Sequence, residues 1–148
     1  MPKIHPSAIV SEQAELADDV TVGAFTIIDA GVKIGMGCRI GAQAWITGGA
    51  TMGEGNCVGY GSIIGAEPQS IGFDPKTNSS VVIGSNNNIR EYVTIHRSIE
   101  EGECTIVEDK NYLMTGVHLA HDVRMGSHNS LANNVLLAGH IKMGDHIF

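Results

Sequence analysis

The apolar residues of this chain recur at every sixth position. From Ile4 the step runs through Val10, Leu16, Val22, Ile28, Ile34, Ile40, Ile46, Met52 and Val58 to Ile64, always on an aliphatic residue or Met. It resumes at Ile83, Ile89 and Ile95, and again from Val107 through Leu113, Leu119, Met125, Leu131 and Leu137 to Met143. With this residue as position 1 of a hexad, position 5 holds a smaller residue: Ala8, Ala14, Val20, Thr26, Val32, Cys38, Ala44 and Ala50 in the first half. Position 2 is often glycine, as at Gly23, Gly35, Gly41, Gly53, Gly59 and Gly126. A helix cannot keep such residues on one face, because six is not a multiple of 3.6. Ordinary alternating strands turn only every 8–12 residues or so. A strand of about four residues closed by a tight corner fits the period, and three such units close a triangular coil of 18 residues. The pattern therefore predicts an all-β chain, a parallel β-helix of hexapeptide repeats. Its 21 units make about seven coils, with positions 1 and 5 buried against the coils above and below. Glycine is expected where a corner needs positive φ.

Two stretches break the step. Residues 66–82, "AEPQSIGFDPKTNSSVV", carry two prolines and a polar cluster and read as an external loop. Residues 98–106, "SIEEGECTI", form a second, acidic interruption. Excursions of this kind are where repeat folds carry function.

The formal charge of −7 argues against nucleic acid as a partner. No apolar run approaches the ~18 residues of a membrane span, and "MPKIHPSAIV" lacks the apolar segment of a signal peptide. Three widely spaced cysteines, Cys38, Cys57 and Cys104, form neither a disulfide framework nor a zinc knuckle. A reducing cytoplasm is the expected setting.

The candidate chemistry lies in "GVHLAHDVRMG", residues 116–126, where His118 and His121 stand three apart and Asp122 follows the second. In hexad numbering His96 is position 2, His118 position 6, His121 position 3 and His140 position 4, so all four are expected to point outward. Eighteen residues after His121 comes Gly139, expected one coil above it at the strand spacing of about 4.8 Å, with His140 beside it. The residues alone leave three readings open: metal ligands, a catalytic base with a supporting carboxylate, or polar groups on a wet surface.

The motifs "IGAEPQ", "IREYVTIHRS", "GVHLAHDV" and "LANNVLLAGH", in that order, resemble those of the UDP-N-acetylglucosamine acyltransferases that start lipid A synthesis. The resemblance covers essentially the whole chain. It implies a left-handed β-helix, a homotrimer with active sites between subunits, and transfer of a 3-hydroxyacyl chain from acyl carrier protein to the 3-position of the UDP-sugar. It implies no cofactor, no metal and no membrane insertion. By the same resemblance His121 matches the general base, Asp122 its supporting carboxylate, and Gly139 the residue whose N–H stabilises the oxyanion. His118 and His140 match histidines lining the cleft, His96 the histidine of the "VTIHR" motif, and Gln69 the glutamine of a substrate-binding loop. Two positions depart from the family: Ser70 stands where Asp is usual and Gly72 where Lys is frequent. The chain ends on the last residue of a hexad, whereas the family continues into further coils and a helical domain. Residues 1–148 are thus expected to form a single β-helix domain without that C-terminal part, and to have little or no activity alone. Two rivals accompany this reading. One is a zinc enzyme resembling γ-class carbonic anhydrases, with His96, His118 and His121 as ligands, although in that class the last two histidines are five apart. The other is a trimeric β-helix scaffold without catalysis.

Overall fold

The computed structural model describes residues 1–148, and its regular structure is entirely strand and turn. Twenty-one short strands, β1 (Lys3–Ile4) to β21 (Lys142–Met143), one per hexad, form three parallel sheets of seven. Each strand pairs with the third strand before and after it, so the chain winds as a left-handed parallel β-helix of seven triangular coils. Paired residues are 18 apart, as in Lys3 with Thr21 and Ile4 with Val22. Across the first interruption the separation widens to 31, with one register shift between β11 and β14 after Ile64, and across the second to 24.

The predicted grammar holds in the middle coils. Ile28, Ile34, Ile40, Ile46, Ile64, Ile83, Ile89, Ile95, Leu113 and Leu119 at position 1 are all buried, with Val20, Val32, Cys38, Val93 and Val117 at position 5. The end coils depart from it. Ile4 is exposed, and Val10, Leu16, Leu137 and Met143 are only partly buried, because each lacks a coil on one side. At one corner the position-5 column changes chemistry on the way up, from Val20 and Cys38 to Asn56, Asn87, Asn111 and Asn129, all buried. Each of the upper three asparagines donates its backbone N–H to the Oδ1 of the one below (2.8–2.9 Å), and Nδ2 groups cap corner carbonyls of Gly53, Gly84, Glu108, Gly126 and Gly144. Buried amides are tolerated here because every one is paired.

Six glycines at position 4, Gly31, Gly37, Gly49, Gly55, Gly61 and Gly116, take the positive φ expected of a corner. The left-handed residue of the corner is position 4, and it is often not glycine: Phe25, Gln43, Asn86, Tyr92, Lys110, Asp122, His128, Asn134, His140 and His146 all have φ near +60°. Glycine at position 2 answers a steric demand instead. A methyl group at Gly59 would lie 2.6 Å from the Arg90 carbonyl carbon and 2.8 Å from the Glu91 nitrogen of the next coil.

Both interruptions are narrower than the sequence suggested. β11 runs Ile63–Ala66, β12 Ser80–Ile83 and β15 Cys104–Val107, so the external segments are 67–79 and 97–103. Residues Ser80–Val82 and Cys104–Ile106 are strand because Val81 and Thr105 turn inward as position-5 residues and are fully buried. β12 and β15 pair over four residues, as far as any two strands here.

The close approach of coils makes a direct prediction. Gly59→Ala should destabilise the chain by about 1–3 kcal/mol through overpacking. Gly144→Ala, whose methyl meets nothing within 4 Å, should stay within about 0.5 kcal/mol of the parent. Urea midpoints followed by far-ultraviolet circular dichroism decide this, and equal midpoints for the two variants would contradict the steric account.

Candidate active site

The site forms at one corner, where the chain leaves β17 (His118–Leu119). Position 4 of successive coils stacks there as Ser98, Asp122 and His140, and position 3 as Arg97, His121 and Gly139. Asp122 sits in the left-handed region at φ 61°, a conformation that Asp tolerates better than most residues. Its backbone N–H is held by the buried Thr105 hydroxyl at 2.9 Å. Its carboxylate is held from below: Ser98 donates its hydroxyl to Oδ1 at 2.5 Å, and the Ile99 N–H donates to Oδ2 at 3.2 Å.

Oδ2 also accepts from His121 Nδ1 at 2.9 Å. Burial alone would raise the Asp122 carboxyl, but the bonds from Ser98, His121 and Ile99, with the nearby His140, outweigh it and hold the group below its ordinary value. Asp122 is therefore an ionised acceptor. An ionised carboxylate at this place favours, in the neutral form of the ring, the tautomer with its proton on Nδ1 and the Nε2 lone pair free.

Gly139 lies against this ring. A methyl group there would fall 2.5 Å from His121 Cε1 and 2.6 Å from Nε2, so only glycine leaves the imidazole its place. The Gly139 N–H makes no hydrogen bond within the chain. His140 stacks edge-on to His121, ring centroids 5.0 Å apart, with Nε2 4.0 Å from Asp122 Oδ2.

A second histidine pair adjoins the first. His118 bonds through Nδ1 to the Thr94 hydroxyl at 2.7 Å and meets His96 edge-on, centroids 4.6 Å apart. Burial lowers the His118 pKa. His96 is not outward-facing as the hexad count predicted. It is 7% exposed, and its Nδ1 has no partner. The reason lies in the strand register: β14 (Thr94–His96) pairs with β11 through a bulge after Ile64, with Gly65 at φ 95°. The flanking loop is pinned by Arg97, itself buried. Arg97 donates to the carbonyls of Thr77 (2.5 Å) and Pro75 (3.0 Å) and to the Ser79 hydroxyl (3.1 Å), and lies 5.0 Å from the Phe73 ring centre. Burial first, then the neighbouring His118 and His121, push the His96 pKa down to about 4.

Of the residues predicted from sequence, His96, His118, His121, Asp122, Gly139 and His140 come together. Gln69 is exposed on the first loop, without a side-chain hydrogen bond. On the same loop Gly72 has φ 84°, which a lysine would adopt only with strain, so this departure from the family alters the backbone as well as the charge. His96, His118 and His121, the zinc set of the rival reading, do not converge. The side chains whose donor atoms do converge are His121, Asp122 and His140. Ser98, Ile99 and Thr105 were missed. Ser98 was within reach, since carrying the position-4 column down from Asp122 by the 24-residue step lands on it.

Residues 13–48 match the bacterial transferase hexapeptide family (six repeats). Fold and repeat together define a hexapeptide-repeat β-helix. Over its whole length the chain is 40% identical to the acyl-(acyl-carrier-protein)–UDP-N-acetylglucosamine O-acyltransferase of Thermodesulfovibrio yellowstonii, covering 57% of that protein. It is 43% identical to the enzyme of the same name from Syntrophobacter fumaroxidans, over 93% of this chain and 53% of the relative. The Francisella novicida UDP-N-acetylglucosamine acyltransferase superposes with a TM-score of 0.93 at 37% identity, over 97% of this chain and 53% of that one. Over essentially its whole length the chain is similar to UDP-N-acetylglucosamine O-acyltransferases, and it spans about half the length of the curated relatives it matches.

The buried His96 sets a pH dependence of stability. The unfolded chain binds this proton near the ordinary histidine pKa of about 6.5, the folded chain only at about 4. The stability from keeping His96 neutral is complete above pH 6.5 or so and is lost as pH falls towards 4, by about 3 kcal/mol at the limit. His96→Gln should flatten the fall in urea midpoint across that interval, and a slope identical to the parent's would contradict the assignment.

Proposed function

We propose that this chain carries the catalytic β-helix of an acyltransferase that moves a 3-hydroxyacyl chain from acyl carrier protein to the 3-position of UDP-N-acetylglucosamine, the first step of lipid A synthesis. His121 is the general base. The observation that carries this reading is the Ser98–Asp122–His121 chain of hydrogen bonds, which leaves Nε2 unprotonated beside Gly139. A sugar hydroxyl is a weak nucleophile at neutral pH, and a positioned neutral imidazole takes its proton as the oxygen attacks.

In the reaction the acceptor oxygen bonds to the thioester carbonyl carbon while its proton passes to His121 Nε2. Asp122 stabilises the imidazolium through Nδ1–H. The negative charge on the carbonyl oxygen is met by the free N–H of Gly139. The C–S bond then breaks, and the carrier-protein thiolate leaves with the proton held by His121. His96, His118, His140 and Gln69 line the approach of sugar nucleotide and acyl chain.

We further propose a homotrimer. The outer face of the second sheet, which leads to His118, carries an exposed apolar column of Ile9, Ile27 and Trp45 at paired positions, and Leu136 beyond His118. Large exposed apolar columns mark interaction surfaces, and cyclic assemblies are common among soluble homo-oligomers. The setting is cytoplasmic, in keeping with three free cysteines.

The test is acyl transfer by the protein at the length of its relatives, followed by mass spectrometry of the acylated sugar nucleotide. His121→Ala should lower kcat by roughly 10²–10⁴-fold with little change in KM. His118→Ala and His140→Ala should lose less, or lose mainly in KM, and Ser98→Ala should lose less than His121→Ala but in kcat. Near-parental kcat in His121→Ala would overturn the base assignment.

A further inference from the structure

The same corner has the composition of a transition-metal site. His121, Asp122 and His140 each offer a donor atom, and the three atoms lie within 4.8 Å of one another. Asp122 Oδ2 is 2.9 Å from His121 Nδ1 and 4.0 Å from His140 Nε2. A tetrahedral Zn²⁺ with bonds of about 2.0–2.2 Å needs its ligands roughly 3.3–3.5 Å apart. One of these distances must open by a few tenths of an ångström and the other must close by about as much. The side chain that has to move furthest is the free one: His140 is 59% exposed, whereas His121 and Asp122 are 19% and 11% exposed.

Two imidazoles and one carboxylate suit Zn²⁺ and its neighbours and not the hard, oxygen-seeking Mg²⁺. Three protein ligands with the fourth position open to solvent is also the arrangement of exchangeable zinc sites. The carboxylate is already oriented from behind by Ser98 and the Ile99 N–H, the kind of supporting shell that metal ligands require. The other outward pair, His128 and His146, stacks flat at 4.8 Å and no third donor joins it.

We propose that His121, Asp122 and His140 bind Zn²⁺ reversibly and that the bound ion silences the base. This rests on the reading of His121 as the proton acceptor. The metal takes the Nδ1 position between His121 and Asp122. The single proton of the neutral ring moves from Nδ1 to Nε2, so no charge is gained or lost by the imidazole. Nε2 then carries a hydrogen where it must accept one, and Asp122 is spent on the metal. Acyl transfer stops until a chelator removes the ion.

The experiment uses the chelator-stripped chain without sugar nucleotide or acyl donor, so its outcome is separate from that of the acyl-transfer reading. Calorimetric titration should show one Zn²⁺ per chain. Affinity should fall at least tenfold in His140→Ala and stay within about twofold of the parent in His118→Ala, and Mg²⁺ should not compete. Nitrogen-15 spectra of the histidine rings should show His121 changing from the Nδ1–H to the Nε2–H tautomer on zinc addition. Circular dichroism checks that His140→Ala is folded; if it is not, His140→Gln takes its place. Absence of zinc binding, or equal affinity in the parent and the His140 variant, overturns the site. Zinc bound with His121 still protonated at Nδ1 overturns Nδ1 as the ligand atom and with it the proton shift to Nε2.

Discussion

Everything in this molecule depends on the parallel pairing of residues 18 apart. Each coil is closed by three strands of mostly two residues, too short to be stable alone. They persist because the position-1 aliphatics of the inner coils pack on those above and below, and because each strand hydrogen-bonds to the next coil. The coils come so close that a Cβ at several position-2 sites would overlap backbone, which is why glycine recurs there. The corner is turned at position 4, where the chain takes positive φ and, in this protein, often does so with side chains that carry chemistry.

That corner explains how a repetitive frame yields a particular site. A column of position-4 residues is a row of side chains stacked along the helix axis at strand spacing. In most of the chain such a column is inert; between Ser98 and His140 it is a hydroxyl, a carboxylate and an imidazole. The excursion after Ser98 adds the Ile99 N–H, and the position-3 column adds His121 and a glycine small enough to admit the ring. The same closeness that favours proton transfer brings three metal-ligating groups within reach of one ion.

The coils, their number and the inward aliphatics were legible in the sequence because one residue in six is under a constraint that nothing else imposes. The convergence of His121, Gly139 and His140 was legible for the same reason, since no interruption lies between Leu119 and Met143. His96 was not. The hexad count turns it outward, and only the bulge at Gly65 and the loop pinned by Arg97 bury it, neither of which leaves a periodic trace. The strand character of Val81 and Thr105 was hidden by the breaks themselves, because the step of six is lost between Ile64 and Ile83, 19 residues apart, and falls on Glu101 between Ile95 and Val107. The glycines were half legible: those at position 4 take the expected positive φ, whereas composition does not show that those at position 2 are needed for lack of a Cβ.

The central claim is that the Ser98–Asp122 frame aims His121 Nε2 at the reacting hydroxyl. The most direct measurement is a crystal structure of the protein, at the length of its relatives, with UDP-N-acetylglucosamine bound. The account predicts His121 Nε2 within about 2.6–3.2 Å of the sugar 3-oxygen, or joined to it by one water, with the Nδ1–Asp122 bond intact. A sugar 3-oxygen that instead contacts His118 or His140, with His121 turned away, would contradict it.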